Sequence, residues 1–458
     1  MSGATFRKVL VANRGAVAAR VIRALRQMGI ASVAVYSEAD RGLSYLAEAD
    51  EAHAIGPAEP QQSYLDQAAL LKVMRATGCD AVHPGYGFLS ENASFANAVQ
   101  AAGATFIGPS PRWIEAMGHK TRARELMAQH GMPLAPSTGV LAAMDEASLA
   151  QARAIGFPVL VKPAGGGGGI GMLPARDEAE LIKAFAQATS VATRSFGSAD
   201  LYLERLVEQP RHIEFQILAD RHGHACHLFE RDCSVQRRHQ KVIEESPAPG
   251  LPRAEVEAMA ERVAALIGGM GYDVIGTVEM LYTAELGFMF LEMNTRLQVE
   301  HAVTEEVCGI DLVQAQIRLA AGALLADVVP AAITPRGHAI EARIYAEDPV
   351  RFFPSPGLLE RFDLPPATDG LRIETGYAAG ARVTPYYDPM IAKLIAHADD
   401  RTGAIARLAQ ALRETQINGV KTNIPFLLRA LAHPDFTAGR VHTGLAARIL
   451  ETPVAQPT

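Results

Sequence analysis

The sequence predicts a protein of mixed α/β and α+β class in three parts, and three features carry that prediction. Strand-like and helix-like segments alternate through residues 7–110. A run of five glycines then separates two apolar segments near residue 165, and from about residue 208 the strands follow one another as hairpins. Alternating βαβα order builds a parallel, doubly wound sheet, because each parallel pair needs a crossover long enough to hold a helix. Hairpin succession builds an antiparallel sheet instead. The expected boundaries are 1–115, 116–330 with a lid over about 135–205, and 331–458.

Composition narrows the class before any motif is read. The chain has 458 residues, 49% of them hydrophobic, which supports ordinary globular cores and excludes a disordered or fibrous protein. A net charge of -7 without a long basic block argues against nucleic acid as a partner. The apolar runs are too short for a membrane span, and the first eight residues lack the apolar core of a secretory signal. Cys79, Cys226, Cys233 and Cys308 show no CxxC spacing, as expected for reduced thiols in cytoplasm.

In the first part, residues 8–12 predict a strand turned by Asn13-Arg14-Gly15 into a helix over 17–28, which Gly29 stops. Residues 32–36 are the next strand, 64–75 a helix, 80–83 a strand, 92–102 a helix and 105–108 a strand. No GxGxxG follows the first strand, so a dinucleotide fingerprint is absent. The loop over 83–92, which contains Tyr86, follows a strand, where open parallel sheets hold ligands. In the second part, Lys120 opens a helix ending at Gly131, and Pro133 and Pro136 form a linker. Residues 158–163 predict a strand carrying Lys162 into Gly165–Gly169. Five ordered glycines cost conformational entropy, and bare amides able to approach phosphate closely are the use that justifies it. A plain linker would be a Gly/Ser mixture between domains.

Residues 213–218 and 225–229 predict a hairpin whose turn holds His222 and His224. With His227 these suggest a metal, but two of the three sit at the turn tip without an obvious fourth ligand, which favours a solvated loop. Residues 230–241 pack arginines, amides and Lys241 beside apolar strands, as an anion-binding surface would; an exposed charge run is the alternative. Strands are expected at 338–345 and within 382–395, and a helix over 402–413.

The stretch over 291–301 is the most informative. Read with a period of two, Glu292, Asn294, Arg296, Gln298 and Glu300 fall on one side, and Leu291, Met293, Leu297 and Val299 on the other. If 275–281 and 288–294 pair about the loop between them, Glu279 lies opposite Glu292. Two carboxylates facing each other across a ladder repel, so a cation belongs between them, and a hard oxygen-ligated ion such as Mg²⁺ suits the site. A surface pair neutralised by neighbouring arginines is the alternative. Glu300 lies eight residues past Glu292, about 26 Å at about 3.3 Å per residue if the chain stayed straight. For both to serve one reaction centre, the ladder must end near Asn294 and residues 295–300 must fold back.

Ala12-Asn13-Arg14-Gly15, the 83–92 loop, the glycine run, residues 230–241, residues 292–301, and Arg343 with Ala346-Glu347-Asp348-Pro349 together resemble biotin carboxylase over about residues 6–445. That family is the ATP-grasp component of biotin-dependent carboxylases. The resemblance implies an N-terminal α/β domain, an ATP-grasp domain with a hinged lid, and a C-terminal antiparallel-sheet domain, commonly as a homodimer. It implies ATP-dependent activation of bicarbonate as carboxyphosphate and carboxylation of biotin on a carrier protein, with a carboxyltransferase as further partner. Lys120, Lys162, Gly167, Gly168, Gly169, Glu204, Val207, His212, Gln236, His239, Glu279 and Glu292 would bind ATP, and Glu279, Glu292 and Asn294 would hold Mg²⁺ or Mn²⁺. Arg296, Gln298, Val299, Glu300, Arg343 and Tyr86 would form the bicarbonate and biotin pocket, with Lys241, Arg296, Arg343 and the base Glu300 catalytic.

Three positions depart from the family pattern: Ala16 replaces an acidic residue, Ala302 a proline and Ile170 a lysine or arginine. The isoleucine is similar to urea-carboxylase-type sequences, whereas residues 344–349 resemble acyl-CoA carboxylase α-chains. No Met-Lys-Met biotin attachment motif is present, as expected of a free-standing subunit or of a piece of a longer chain. Two rival readings are another ATP-grasp ligase of carbamoyl-phosphate-synthase type and a catalytically silent nucleotide-binding scaffold. The first would lack the Arg296, Gln298, Glu300 and Arg343 set, and the second would have lost Lys241, Glu292 or Glu300.

Overall fold

In a computed structural model, which describes residues 5–165, 170–238 and 240–451, the chain begins with a five-stranded parallel sheet. Its strands are β1 (Lys8–Val11), β2 (Ala31–Ser37), β3 (Glu51–Gly56), β4 (Ala81–His83) and β5 (Thr105–Phe106), in the order β3-β2-β1-β4-β5. The helix Gly15–Gln27 packs against β1 and β2, and Asp66 and Asn92 cap the helices Gln67–Thr77 and Ala93–Ala101 by accepting from backbone amides. β3 is absent from the sequence expectation. Its burial alternates only weakly, as befits an edge strand.

Residues 134–205 build a small unit with its own apolar core around Leu181, Phe185 and Leu203. Its strands β6 (Val159–Pro163), β7 (Leu173–Ala175) and β8 (Leu201–Arg205) are antiparallel in the order β7-β6-β8 and are backed by the helix Glu178–Phe196. The expected Pro133/Pro136 linker is divided between two bodies. The Pro133 carbonyl accepts from Phe290 N in the main sheet, whereas the Pro136 carbonyl accepts from Arg205 N at the end of β8. Leu134 also bridges to Phe290, and the Ala135 carbonyl accepts from Arg124 at 2.7 Å, so the change from one body to the other falls between residues 135 and 136.

The largest sheet has eight strands: β9 (Arg211–Ala219), β10 (Ala225–Arg237), β11 (Gln240–Ser246), β12 (Val274–Thr283), β13 (Gly287–Asn294), β14 (His338–Tyr345), β17 (Leu371–Thr375) and β19 (Met390–Ala398). They run antiparallel in the order β13-β12-β9-β10-β11-β14-β19-β17. Two small pairs complete the C-terminal part: β15 (Gly357–Leu358) with β18 (Arg382–Val383), and β16 (Arg361–Asp363) with β20 (Gln416–Asn418). The sheet crosses the expected boundary at 330, because β11 pairs with β14. Side chains from residues 211–294 and 338–398 therefore share one continuous face. Among the described residues, no helix is long and apolar enough to cross a membrane.

Candidate active site

The site is built on that shared face. Glu279 on β12 is directly opposite Glu292 on β13 on one side and Glu214 on β9 on the other, and Glu214 is opposite Arg231 on β10. Directly opposed residues share a face, so three carboxylates and a guanidinium stand in a row. Two lysines supply positive charge to Glu279 and Glu292. Lys241 Nζ donates to Glu279 Oε1 at 2.8 Å, and Lys120 Nζ is 3.1 Å from Glu292 Oε2.

Lys241 also donates to Glu214 at 2.5 Å and to Glu300 at 2.6 Å. One ammonium thus ties the metal-type carboxylates to the proposed base, which requires the chain to double back after β13. The ladder does end at Asn294, residues 295–300 form a turn, and Glu300 precedes the helix His301–Cys308. Met293 and Leu297 pack into the core as the alternation predicts. Leu291 and Val299 do not. They are only partly buried and line the cavity beside the polar row: Leu291 is the extra residue of a bulge in β13, and Val299 lies in the turn, so the alternation breaks at both.

Each polar residue of the turn is fixed by a neighbour. Asn294 Nδ2 and Gln298 Nε2 both donate to Glu279 Oε1 at 2.8 Å. Arg296 donates to Asn294 Oδ1 and to Glu91 Oε2, each at 2.8 Å, and Arg343 Nη2 donates to Glu300 Oε2 at 2.9 Å. Burial opposes ionisation of Glu300 and Glu279. Lys241 with Arg343 holds Glu300 well below the usual carboxylate range, and Lys241 with His212 does the same for Glu279. Gln236 Nε2 donates to His212 Nδ1 at 2.8 Å, which leaves the other ring nitrogen, 3.0 Å from Glu279 Oε2, to carry the proton.

Three adjoining cavities meet here. The central one, of ≈ 280 Å³, is lined by Lys120, Lys162, Lys241, Glu279, Glu292 and Glu300, with Arg296 and Arg343. It shares Lys162, His212, Gln236 and Leu291 with a cavity of ≈ 770 Å³ that also takes in Glu204 and Val207. On its other side it shares Arg296, Val299 and Arg343 with a cavity of ≈ 580 Å³ lined by Asn13, Tyr86 and Tyr387. Tyr86 is positioned by Asn13, whose Nδ2 donates to the carbonyls of Pro84 and Tyr86 at 2.7 and 2.8 Å. Gly85 between them has φ +66°, and an added Cβ would lie 2.8 Å from that same nitrogen.

Several expected residues are placed differently from their imagined settings. Lys162 is buried and donates to Glu204 at 3.1 Å, and the other Glu204 oxygen lies 2.7 Å from Arg124. The Glu204 side chain therefore anchors a lysine, beyond anything its main chain offers a ligand. The basic run over 230–241 divides. Arg231 and Arg237 turn inward onto Glu214 and Glu347, and among the described residues of the run only Gln236, Gln240 and Lys241 reach the central cavity. His224 instead meets Asp220 in an exposed turn. Gly167, Gly168, Gly169 and His239 lie outside the described residues. Glu214 and Glu91 were missed, although Glu214 carries a signal: with Gln216 it forms the polar alternation between Ile213, Phe215 and Ile217 of a long buried strand.

Residues 5–114 match the family described as biotin carboxylase, N-terminal domain; 119–328 that of carbamoyl-phosphate synthase L chain, ATP binding domain; and 341–448 that of biotin carboxylase C-terminal domain. The chain is 50% identical over 446 residues to a biotin carboxylase of Halalkalibacterium halodurans, covering 97% of this chain and 98% of that protein. It is 46% identical over 445 residues to the mitochondrial methylcrotonoyl-CoA carboxylase subunit alpha of Rattus norvegicus, covering 96% of this chain and 62% of that one. The fold superposes with a TM-score of 0.93 on the biotin carboxylase domain dimer of Hydrogenobacter thermophilus 2-oxoglutarate carboxylase, solved with MgADP, ADP and bicarbonate. That domain is 42% identical, and the match covers 98% of this chain and all of that one.

Proposed function

The chain belongs to the biotin carboxylase family, and we propose that its three cavities divide that family's reaction among them. The reaction is ATP- and bicarbonate-dependent carboxylation of biotin, the first half-reaction of a biotin-dependent carboxylase. The largest cavity takes the nucleotide, with Glu204, Val207, His212 and Gln236 around it and Lys120 and Lys162 toward the phosphates. The central cavity takes the γ-phosphate and bicarbonate. The third takes the biotin ring against Tyr86 and Arg343.

The donor set Glu279, Glu292 and Asn294 is all oxygen and already attracts two ammonium groups, as a site for Mg²⁺ or Mn²⁺ should. When bound there, the ion would screen phosphate charge. Glu300 accepts the bicarbonate proton, and the oxygen so freed attacks the γ-phosphorus as the bond to ADP breaks, giving carboxyphosphate. Arg296 and Arg343 hold the charge that develops on bicarbonate and on the biotin ureido oxygen. A biotin carboxyl carrier protein and a carboxyltransferase are the partners, and the working form is a homodimer.

The observation that carries this reading is Glu300 held between Lys241 and Arg343 in the central cavity, which adjoins the other two. Its test is ADP formation measured with and without bicarbonate and free biotin. Dependence on bicarbonate and stimulation by biotin are expected; ADP release indifferent to both would overturn the assignment.

Ile170, where the family carries a cation, is 51% exposed just after the glycine run in sequence. Lys120 and Lys162 are the phosphate-facing cations of this reading. Ile170→Lys is accordingly expected to change the ATP KM by less than about tenfold, or about 1.4 kcal/mol. Steady-state kinetics on the variant would expose a larger fall, and with it a lid short of charge.

A further inference from the structure

Each lysine assigned to the phosphates stands on a carboxylate. Lys120 Nζ lies 3.1 Å from Glu292 Oε2, and Lys162 donates to Glu204 Oε1 at 3.1 Å. The two pairs differ in what relieves them. Glu292 is a metal ligand in the reading above, so it gains a cation together with the nucleotide. Glu204 is no metal ligand there and gains none. Glu204 and Lys162 are both buried, so water screens the pair little. An ammonium left alone with a buried carboxylate forms a neutral pair, which attracts phosphate weakly.

Glu204 has a second cation. Arg124 Nη1 lies 2.7 Å from Glu204 Oε2, the oxygen that Lys162 does not use. Among the described residues, Lys162 and Arg124 are its ion-pair partners. Arg124 lies one turn after Lys120 on the helix Lys120–Gln129 and is buried. Its guanidinium is fixed from both bodies. Nη2 donates to the Ala135 carbonyl at 2.7 Å and to Ser137 Oγ at 3.1 Å, and Nη1 donates to the Phe290 carbonyl at 3.3 Å. Ala135 and Phe290 belong to the main body, whereas Ser137 bridges to Glu204 on β8. Arg124 thus reaches Glu204 where the chain passes into the lid, without lining any of the three cavities.

We propose that Arg124 is a positioning residue for ATP, neutralising Glu204 so that the Lys162 ammonium keeps its charge for the phosphates. The inference rests on the assignment of Lys162 to the phosphates. Two cations against one carboxylate leave the trio one net positive charge, and Lys162 is the member that lines the central cavity. Its three hydrogens can serve Glu204 and phosphate together. The Tyr202 ring, centred 5.5 Å from Nζ, supports the ammonium without adding charge. Arginine suits the position because its planar fork meets carbonyls of the main body and a carboxylate of the lid at once, and it stays charged when buried.

The test is the affinity for Mg²⁺ with AMPPNP, a non-hydrolysable ATP analogue, measured by titration calorimetry on the full chain. Arg124→Met is expected to weaken binding by about tenfold or more, because Glu204 then cancels Lys162. Glu204→Gln added to it removes the anion too, and the double variant is expected to bind within about threefold of the unaltered protein. A displaced lid or lost packing would not be repaired by exchanging a carboxyl for an amide. An Arg124→Met protein that binds normally, or a double variant as weak as the single one, overturns the proposal. Should Arg124→Met fail to fold, the double variant decides alone: binding within that range supports the neutralising role, and any larger loss overturns it. Lys162→Gln separates the two levels. If it binds the analogue as the unaltered protein does, the assignment of Lys162 to the phosphates fails; if it binds weakly while Arg124→Met binds normally, only the role of Arg124 falls.

Discussion

Glu300→Gln is expected to bind Mg²⁺-ATP as the unaltered protein does and to lose roughly 10²–10⁴ in bicarbonate-dependent turnover, the usual worth of a general base. The amide keeps the size of the carboxyl and can still accept from Lys241 or Arg343, which hold the two Glu300 oxygens at 2.6 and 2.9 Å. It cannot take a proton. Glu300 makes no side-chain cap on the helix that follows it, so the exchange leaves that helix start intact. Glu292→Gln should do the reverse, because Glu292 contacts Lys120 and not the base, and metal-nucleotide affinity should fall first. Calorimetric nucleotide binding paired with ADP assays at saturating ATP distinguishes the two. If Glu300→Gln lost affinity yet kept turnover, base and metal ligand would have been exchanged.

How much of this was readable beforehand depends on the range of the interaction concerned. The β12–β13 hairpin was readable because its loop and both apolar patterns lie within about twenty residues, and the Glu279–Glu292 register follows from them. The fold-back after Asn294 was readable once the resemblance put Glu292 and Glu300 at one reaction centre, since a straight strand carries Glu300 out of reach. The fates of Arg231 and Arg237 were not. Glu214 reaches Arg231 through the β9–β10 pairing across 17 residues and Glu347 reaches Arg237 from beyond the end of β14 across 110, and nothing in the local run over 230–241 says which arginines turn inward. The sheet that crosses residue 330 was hidden for the same reason, because β11 and β14 are each ordinary strands and only their pairing creates the row containing Glu244, Glu341 and Arg343. Lys162 shows a third kind of limit. Its place beside the glycine run was legible, but its engagement by Glu204 needs the β6–β8 register.

The largest structural effect is expected from Arg231, which touches no proposed substrate. Its side chain has no solvent exposure and uses its whole fork: Nε to Glu214 at 2.5 Å, Nη1 to Gln216 and Thr304 at 2.9 Å, and Nη2 to Gln298 at 3.0 Å and Thr277 at 3.4 Å. Arg231→Met removes those donors together and leaves Glu214 buried with Lys241 as its remaining ion-pair partner. Breaking a buried pair this way costs about 3–5 kcal/mol, and equilibrium urea unfolding should register it as a lower midpoint. Arg231→Lys keeps the charge near Glu214 but offers three donors in place of five in a fixed fork, so an intermediate loss of about 1–3 kcal/mol is expected. Biotin-stimulated turnover should fall in both, because Gln298 and Glu214 orient Glu279 and Lys241 and are themselves held by Arg231. An Arg231→Met protein as stable as the original would mean that the carboxylate row does not need its guanidinium, and that Lys241 alone neutralises Glu214.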